Sequence, residues 1–312
     1  MTELRIVSLI ASATEIVCAL GLRDRLVGRS HECDYPLDVI SLPRCTEPKF
    51  SPDGTSYEID QRVKAVLQES LSVYRVHADM LEQLQPTHII TQSQCEVCAV
   101  SLKDVEAAAC ELITSQPRII SLEPNQLSDV YRDIETVANA LGVEQSGKDL
   151  NEQIQSGLKQ LAARGPAHRL RLAYVEWIDP LMAGGNWMPE LIGYAGAINL
   201  FGTTGKHSPP LSWQEFFQAD PEVIVVAPCG FDIARAMQDM HCLSNRAEWQ
   251  TITAVKNDRV YIADGNQYFN RPGPRLLDSA QILAEVSYPE TFTPDHAATG
   301  WVKLQRQSVP RP

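Results

Sequence analysis

The chain reads Asp264-Gly265-Asn266-Gln267-Tyr268-Phe269-Asn270-Arg271-Pro272-Gly273-Pro274-Arg275 between a predicted strand at residues 259–263 and a predicted helix at residues 276–286. In α/β proteins, ligands bind in loops that follow the carboxyl ends of strands. This loop combines a carboxylate, amides, aromatic rings and arginines, and its prolines restrict the backbone. Two interpretations are open: a ligand-binding loop, or a helix entry in which Tyr268 and Phe269 fill the core.

Alternation of strands and helices extends over the chain up to residue 289. Residues 84–91 and 219–226 both read as a helix end, a proline and a buried strand. Between them, residues 126–164 keep a helical period without a strand, and Gly142 and Gly147 indicate a break between two helices. We therefore predict an α/β fold with two Rossmann-like lobes joined by a long helical backbone.

The predicted domain boundaries follow from this pattern. An amino-terminal α/β lobe takes residues 1–123, a bridging helical segment takes residues 124–166, and a carboxy-terminal α/β lobe takes residues 167–289. Residues 290–312 lose the apolar periodicity and are predicted to form an irregular tail. A chain of 312 residues is long enough to bury two hydrophobic cores.

Charge and hydropathy argue against several classes of partner. The chain carries 27 Lys and Arg against 39 Asp and Glu, a net charge of −12, which disfavours nucleic acid and anionic membrane surfaces. No apolar run has the length of a membrane span, so we expect no membrane insertion. The sequence motifs of phosphate loops, dinucleotide-binding folds and serine hydrolases are absent, and no reaction is indicated.

The amino terminus bears on location. Residues 1–5 run directly into a predicted strand at residues 6–10, with no basic region and no small-residue cleavage site. We therefore predict a cytoplasmic protein, or a periplasmic one if a signal peptide has been removed. In the cytosol, the eight cysteines are expected to be thiols or thiolates rather than disulfides.

Residues able to bind metals or polar ligands follow the predicted strands rather than scattering over helix faces. Because the strand-to-helix loops of an α/β lobe open on one edge of its sheet, we expect these residues to gather there. The candidate ligand-binding residues are His31, Glu32, Cys33, Tyr35, Cys95, Glu96 and Cys98 in the first half of the chain, and Glu176, Trp177, Trp187, Cys229, Phe231, Asn266, Tyr268, Phe269 and Arg271 in the second half.

Cys95 and Cys98 have C-x-x-C spacing ahead of a predicted helix at residues 102–113. Thiols at a helix amino end have a lowered pKa, which suits redox chemistry or metal ligation. One such pair supplies half of a tetrahedral zinc site, which His31 and Cys33 could complete. Three interpretations stay open: binding of zinc or iron, a redox dithiol, and packing or ligand contact by small apolar side chains.

Several segments, taken in order, resemble the family of periplasmic binding proteins for cobalamin, haem and iron chelates. They are Arg5-Ile6-Val7-Ser8-Leu9-Ile10-Ala11-Ser12-Ala13-Thr14-Glu15, Arg29-Ser30-His31-Glu32-Cys33-Asp34-Tyr35-Pro36, residues 86–91, and Tyr268-Phe269-Asn270-Arg271 with Pro274-Arg275. The last is most similar to the cobalamin-binding branch, in which an aromatic pair precedes an arginine. The resemblance covers residues 4–289, and His-Glu-Cys and Cys-Glu-Val-Cys depart from it.

The resemblance implies two similar lobes with a corrinoid or other metal chelate held in a cleft between them by aromatic rings and hydrogen bonds. It places the ligand contacts at residues 31–33, at the loop that begins with Glu176, and at Tyr268, Phe269 and Arg271. It also implies the permease of an ABC transporter as partner, which we do not expect for a cytoplasmic protein.

Three functions are compatible with these residues. The first is a carrier or store of cobalamin, or of a related corrinoid or tetrapyrrole, with His31, Cys33 or Cys95 as a ligand of the metal. The second is a zinc- or iron-binding protein that uses Cys33, Cys95 and Cys98 together with His31 or Cys229 as ligands. The third is an enzyme that acts on a tetrapyrrole-like substrate, with a carboxylate as proton shuttle. We expect a binding protein rather than an enzyme.

Overall fold

The computed structural model describes residues 3–69, 73–93 and 114–305. Contacts divide the chain into two compact units. The first unit takes the described residues of 1–54, 58–154 and 272–274, and the second takes those of 55–57, 155–271 and 275–312. The chain passes from the first unit to the second between Ile154 and Gln155, inside a helix.

A parallel sheet and a small antiparallel pair lie in the first unit. The strands are β1 (Ile6–Ser8), β2 (Leu26–Arg29), β3 (Thr46–Pro48), β4 (Tyr74–Val76), β5 (His88–Gln92) and β6 (Arg118–Leu122). The parallel sheet has the order β2-β1-β5-β6, and β3 pairs with β4. β5 pairs with both β1 and β6, and its Ile89 and Ile90 have no exposed surface. An apolar run of this kind is expected in a parallel strand that is covered on both faces.

Five α-helices are described in the first part of the chain. They are α1 (Ala11–Ala19), α2 (Ser56–Glu69), α3 (Ala78–Leu84), α4 (Leu127–Leu141) and α5 (Glu144–Ala163), with 3-10 turns at Arg23–Arg25 and Leu37–Ser41. Gly142 ends α4 with a φ of 73°, as predicted for a break. Gly147 does not take part in this break. Gly147 lies inside α5, where a Cβ atom would collide with the Cβ of Ala138, so this glycine permits close helix packing.

The second unit has a mixed sheet of its own. Its strands are β7 (Arg171–Trp177), β8 (Met182–Ala183), β9 (Ile198–Asn199), β10 (Val223–Val226), β11 (Val260–Ala263) and β12 (Trp301–Lys303). The order is β12-β11-β10-β7-β8, and β9 pairs with β7. β7, β10 and β11 are parallel, so their carboxyl ends meet at one edge. All four residues of β10 have no exposed surface, which explains its continuous apolar sequence.

Six α-helices are described around this second sheet. They are α6 (Met188–Tyr194), α7 (Trp213–Ala219), α8 (Ile233–Asp239), α9 (His241–Ser244), α10 (Thr253–Lys256) and α11 (Leu276–Ser287), with a 3-10 turn at Trp249–Thr251. Both units are therefore α/β, as predicted. In the described ranges, no helix is both long enough and apolar enough to cross a bilayer.

Residues 290–312 differ from the sequence prediction in one respect. β12 pairs antiparallel with β11, with Ile262 opposite Val302, so the expectation of an irregular tail is wrong for Trp301–Lys303. A three-residue strand is too short to give a period that the sequence can show. The helix predicted at residues 102–113 lies outside the described residues.

Candidate binding sites at the strand ends

A backbone hydrogen bond holds the loop that follows β2 beside the end of β1. The amide of Ser30 donates to the carbonyl of Ser8 at 2.8 Å, which brings the residues after β2 beside the start of α1. His31 comes next, and its backbone amide donates to Thr46 Oγ1 at 3.1 Å. The imidazole Nδ1 lies 2.8 Å from the same oxygen. Thr46, which is buried, therefore fixes both the backbone and the ring of His31.

Thr46 links His31 to a second hydroxyl group. Its Oγ1 lies 3.0 Å from Ser30 Oγ and accepts the backbone amide of His31. In the tautomer that carries its proton on Nδ1, the imidazole donates to Thr46 Oγ1 and has a lone pair on Nε2. Burial, together with the charges of Arg44 and Arg29, lowers the pKa of His31 to about 4. The ring is therefore neutral near pH 7, the form in which histidine binds metals.

Tyr74 contacts both of the neighbouring loop residues His31 and Glu32. Tyr74 donates its hydroxyl to Glu32 Oε1 at 2.6 Å, and the Tyr74 ring meets the His31 ring edge-on with centroids 4.8 Å apart. Thr46 and Tyr74 both belong to the β3–β4 pair, which gives that small sheet a role in holding this loop. Sequence reasoning missed both residues, because neither follows a strand of the parallel sheet.

Cys33 is 1% exposed, and Thr14 Oγ1 donates to its sulfur at 2.9 Å. These contacts favour the packing interpretation for Cys33. In residues 3–69, 73–93 and 114–305, no three His, Cys, Asp or Glu side chains form a group that can hold a metal ion. Cys95, Glu96 and Cys98 lie outside those ranges, so a metal or redox site that includes them stays a prediction. Tyr35 is 43% exposed and precedes a cis peptide bond to Pro36.

The end of β6 carries two acidic groups in different surroundings. Glu123 is exposed and accepts a hydrogen bond from Ser93 Oγ at 2.6 Å. Asp133, on α4, is buried, and its Oδ1 lies 3.5 Å from the amide of Glu123. Its Oδ2 has no hydrogen-bond partner among the described residues. Burial raises the pKa of Asp133 to about 7, so this carboxyl group changes charge near neutral pH.

In the second unit, aromatic side chains cluster where β7 and β10 end. The rings of Trp177 and Phe231 lie 5.1 Å apart, and the guanidinium of Arg235 lies 4.1 Å from the centre of the Phe231 ring. Trp177 is partly exposed, whereas Phe231 is 6% exposed. The amide of Cys229 donates to the carbonyl of Glu176 at 3.1 Å, which joins the two strand ends. Trp177 and Arg235 are the partly exposed members of this cluster.

The loop after β11 is fixed by its own polar side chains. Asp264 Oδ1 accepts the amides of Asn266 at 3.0 Å and Gln267 at 2.8 Å, which forms a turn directly after the strand. Arg271 is 6% exposed and donates to Asn266 Oδ1 at 3.1 Å. Gly265 lies so close to the carbonyl oxygen of Pro228 that a Cβ atom would collide with it. These contacts connect the loop to its own side chains and to the residues after β10.

Phe269 does not reach the surface. Its side chain has no exposed surface and packs against Tyr174, with ring centroids 5.5 Å apart. Trp187, which is 6% exposed, donates its Nε1 to the carbonyl of Phe269 at 2.7 Å. The prediction that Phe269 is an aromatic ligand contact is therefore wrong, and the alternative of a core residue holds for it. Trp187 supports the backbone of the loop from inside.

Tyr268 is the partly exposed aromatic residue of the pair. The guanidinium of Arg275 lies 5.3 Å from the centre of its ring, and the imidazole of His296 lies 6.0 Å away at an angle of 87°. The helix-entry interpretation thus describes Phe269, while the binding-loop interpretation stays open for Tyr268. His296 was missed because it falls in the segment predicted to be irregular.

The fold and these strand ends define a class of protein: an α/β binding protein with two units, in which polar and aromatic side chains follow the parallel strands. The chain belongs to the periplasmic binding protein family, whose model matches residues 6–266.

Two curated relatives cover most of the chain. An uncharacterized ABC transporter substrate-binding lipoprotein, YvrC of Bacillus subtilis, is 26% identical over 297 residues, which are 92% of this chain and 81% of the relative. A vitamin B12-binding protein of Vibrio cholerae is 23% identical over 287 residues, 89% of this chain and 86% of the relative.

Solved structures agree with the fold. A periplasmic heme binding protein from Pseudomonas aeruginosa matches with a TM-score of 0.70 at 18% identity, covering 92% of this chain and 93% of that one. The periplasmic vitamin B12 binding protein BtuF of Vibrio cholerae matches with a TM-score of 0.62 at 22% identity, covering 90% and 95%. At these identities the likeness concerns the fold.

Proposed function

We propose that this chain is a substrate-binding protein for a flat, metal-centred ring: cobalamin, a related corrinoid or haem. Relatives that bear the names vitamin B12-binding and heme binding protein support this class of ligand. The observation that carries the proposal is the environment of His31, because a neutral imidazole whose Nδ1 is hydrogen-bonded can serve through Nε2 as an axial ligand for cobalt or iron. Cobalamin is the first ligand to test.

The hydrogen bond and the low pKa of His31 are the properties that a metal-binding histidine requires. A metal-binding imidazole normally donates its other nitrogen to an oxygen, which fixes the ring and raises its basicity. Thr46 Oγ1, 2.8 Å from Nδ1, is such an oxygen. The low pKa of about 4 means that no proton has to leave His31 before a metal binds at neutral pH.

The second unit supplies surfaces that suit a conjugated or broad apolar ring. Trp177 and Tyr268 are partly exposed aromatic side chains; Trp177 is the last residue of β7, and Tyr268 lies in the loop after β11. Such rings contribute apolar contact and stacking with a flat ligand. Arg275, which lies over Tyr268, provides a positive charge near this ring for an acidic or amide side arm of the ligand.

Replacing His31 by alanine is expected to weaken binding of aquocobalamin or haemin by about tenfold or more, because one metal–nitrogen bond is lost. The wild-type protein should shift the visible absorption bands of the ligand, and the His31→Ala protein should not show the histidine-type shift. His77→Ala is the matched control, since His77 is a half-exposed histidine of the same unit. Equal spectra and equal affinities for the His31→Ala and wild-type proteins would contradict His31 as ligand.

Removing the Trp177 ring is expected to lower the affinity for the same ligands by roughly fivefold to tenfold, as for the loss of one aromatic contact. Trp177→Phe keeps a ring at this position and should lose less. Titration calorimetry measures the affinities, and quenching of tryptophan fluorescence on ligand addition should fall in both variants. An affinity of Trp177→Ala equal to that of the wild type would remove Trp177 from the binding surface.

Location decides whether the proposed protein serves transport or storage. The relative YvrC is named an ABC transporter substrate-binding lipoprotein, which supports a permease as partner of this chain as well. A carrier or store would instead act inside the cytoplasm. Fractionation of the native cells with an antibody against this chain separates the two roles: recovery outside the cytoplasm supports delivery to a permease, and recovery inside supports storage.

A further inference from the structure

A buried carboxylate fastens the carboxy-terminal segment to α11. Glu285 is 4% exposed and accepts three hydrogen bonds. The donors are His296 Nδ1 at 2.7 Å, the amide of His296 at 3.2 Å and Trp301 Nε1 at 2.7 Å. All three belong to residues 296–301, which follow the helix in sequence. One side chain thus fixes the turn that leads into β12.

Residues 296–301 also contact the candidate binding loop after β11. The carbonyl of Gly300 accepts the amide of Asp264 at 2.9 Å, at the first residue of the loop. Through the edge-on ring contact described above, His296 touches Tyr268. Trp301 packs edge-on against Tyr261 of β11, with centroids 5.4 Å apart. A disturbance at Glu285 therefore reaches both the start of the loop and its partly exposed aromatic ring.

The charge of His296 is set by its neighbours. Its hydrogen bond with Glu285 raises its pKa above the ordinary 6.5, burial opposes this, and the negative charges of Glu285, Asp278 and Asp295 raise it further. Because the folded-state pKa is raised, the ion pair stabilises the fold fully below about pH 6.5 and this contribution is lost as the pH rises through the raised value. A neutral imidazole can still donate from Nδ1, so the contact weakens without disappearing.

We propose that Glu285 and His296 are positioning residues that hold Tyr268 for ligand binding, and that protonation of His296 strengthens this hold. The proposal rests on the proposed function only in so far as Tyr268 contacts the ligand. The hydrogen bonds of the buried Glu285 with His296 and Trp301, which we call the clasp, give the carboxy-terminal segment a function in the binding site beyond completing the sheet.

The clasp is tested first without ligand. Histidine and tyrosine ring signals of the whole protein are followed by NMR between about pH 5.5 and 9, with Tyr268 assigned by comparison with Tyr268→Phe. In the wild type, the Tyr268 signal should shift with the same midpoint as the His296 imidazole. His296→Asn keeps a donor but cannot titrate, so the shift should vanish. Glu285→Gln should lower the His296 midpoint. His168→Asn, at a histidine whose side chain is 80% exposed, is the control.

Ligand binding is tested second, with cobalamin as the probe. The affinity of the wild type should fall roughly fivefold between pH 6 and 9, which is the lower end of the usual coupling between two sites. The affinity of His296→Asn should be independent of pH over this range. A Tyr268 signal that ignores pH, or that titrates equally in His296→Asn, would overturn the proposal. If cobalamin does not bind the wild type at all, the proposed function fails for this ligand, and the ligand-free titration alone decides the positioning role.

Discussion

Phe269→Ala is expected to destabilise the protein by about 3–5 kcal/mol, the usual cost of removing a buried phenylalanine ring. Phe269 has no exposed surface and packs against Tyr174, so its loss leaves a cavity beneath the loop. Its backbone φ of 63° is unusual for a bulky residue and is held by the bonds from its amide to Ser279 Oγ and from Trp187 to its carbonyl. Urea unfolding followed by circular dichroism measures the effect.

The neighbouring residue provides the contrast. Tyr268→Ala should cost less stability than Phe269→Ala, since Tyr268 is partly exposed, but should weaken ligand binding. Phe269→Leu is the conservative control, because it refills most of the volume and should recover a large part of the stability. A Phe269→Ala protein as stable as the wild type would show that the ring is not a core residue, and would restore the first interpretation of Phe269 as a ligand contact.

Asp133→Asn is expected to change the pH dependence of stability. Because the folded-state pKa of about 7 lies above the ordinary 3.8, wild-type stability falls as the pH rises between these values. Asparagine is neutral throughout. Between pH 5 and pH 8, the free energy of unfolding of the variant should therefore rise by roughly 3 kcal/mol relative to that of the wild type. Two of these pH units lie below pH 7, and each contributes about 1.4 kcal/mol. Unfolding free energies measured at several pH values show the change in slope.

Glu152→Gln is the matched control for this experiment, since Glu152 is an exposed carboxylate on α5. Its pH profile should follow that of the wild type. If Asp133→Asn and the wild type lose stability in parallel between pH 5 and pH 8, Asp133 is ionised in the folded protein at neutral pH, and the account of its buried, half-satisfied carboxyl group is wrong.

The fold was predictable because its strands are strongly apolar. The runs Ile89-Ile90 and Val223–Val226 are buried on both faces, so burial imposes their composition. Two features were not predictable. β12 is three residues long, too short for a period, and Gly147 serves close helix packing, which a sequence cannot distinguish from a helix break.

The candidate site was predictable only where residues follow parallel strands. His31, Trp177 and Tyr268 were selected in this way, and their contact with a ligand stays a prediction. Thr46 and Glu285 were not, since they act through contacts distant in sequence: 15 residues separate Thr46 from His31, and Glu285 binds a turn that carries no apolar pattern. The exposure of individual side chains also could not be predicted from the sequence. Adjacent aromatic residues 268 and 269 look alike in sequence, and packing against Tyr174 alone separates core from surface.

The central claim is tested most directly by adding cobalamin and, separately, haemin to the purified protein and recording absorption spectra and calorimetric heat. We predict saturable one-to-one binding of at least one of the two, with a dissociation constant of about ten micromolar or lower and a spectral shift of the histidine-ligated type that is absent in His31→Ala. No heat and no spectral change with either compound at roughly fifty micromolar would contradict the proposed function.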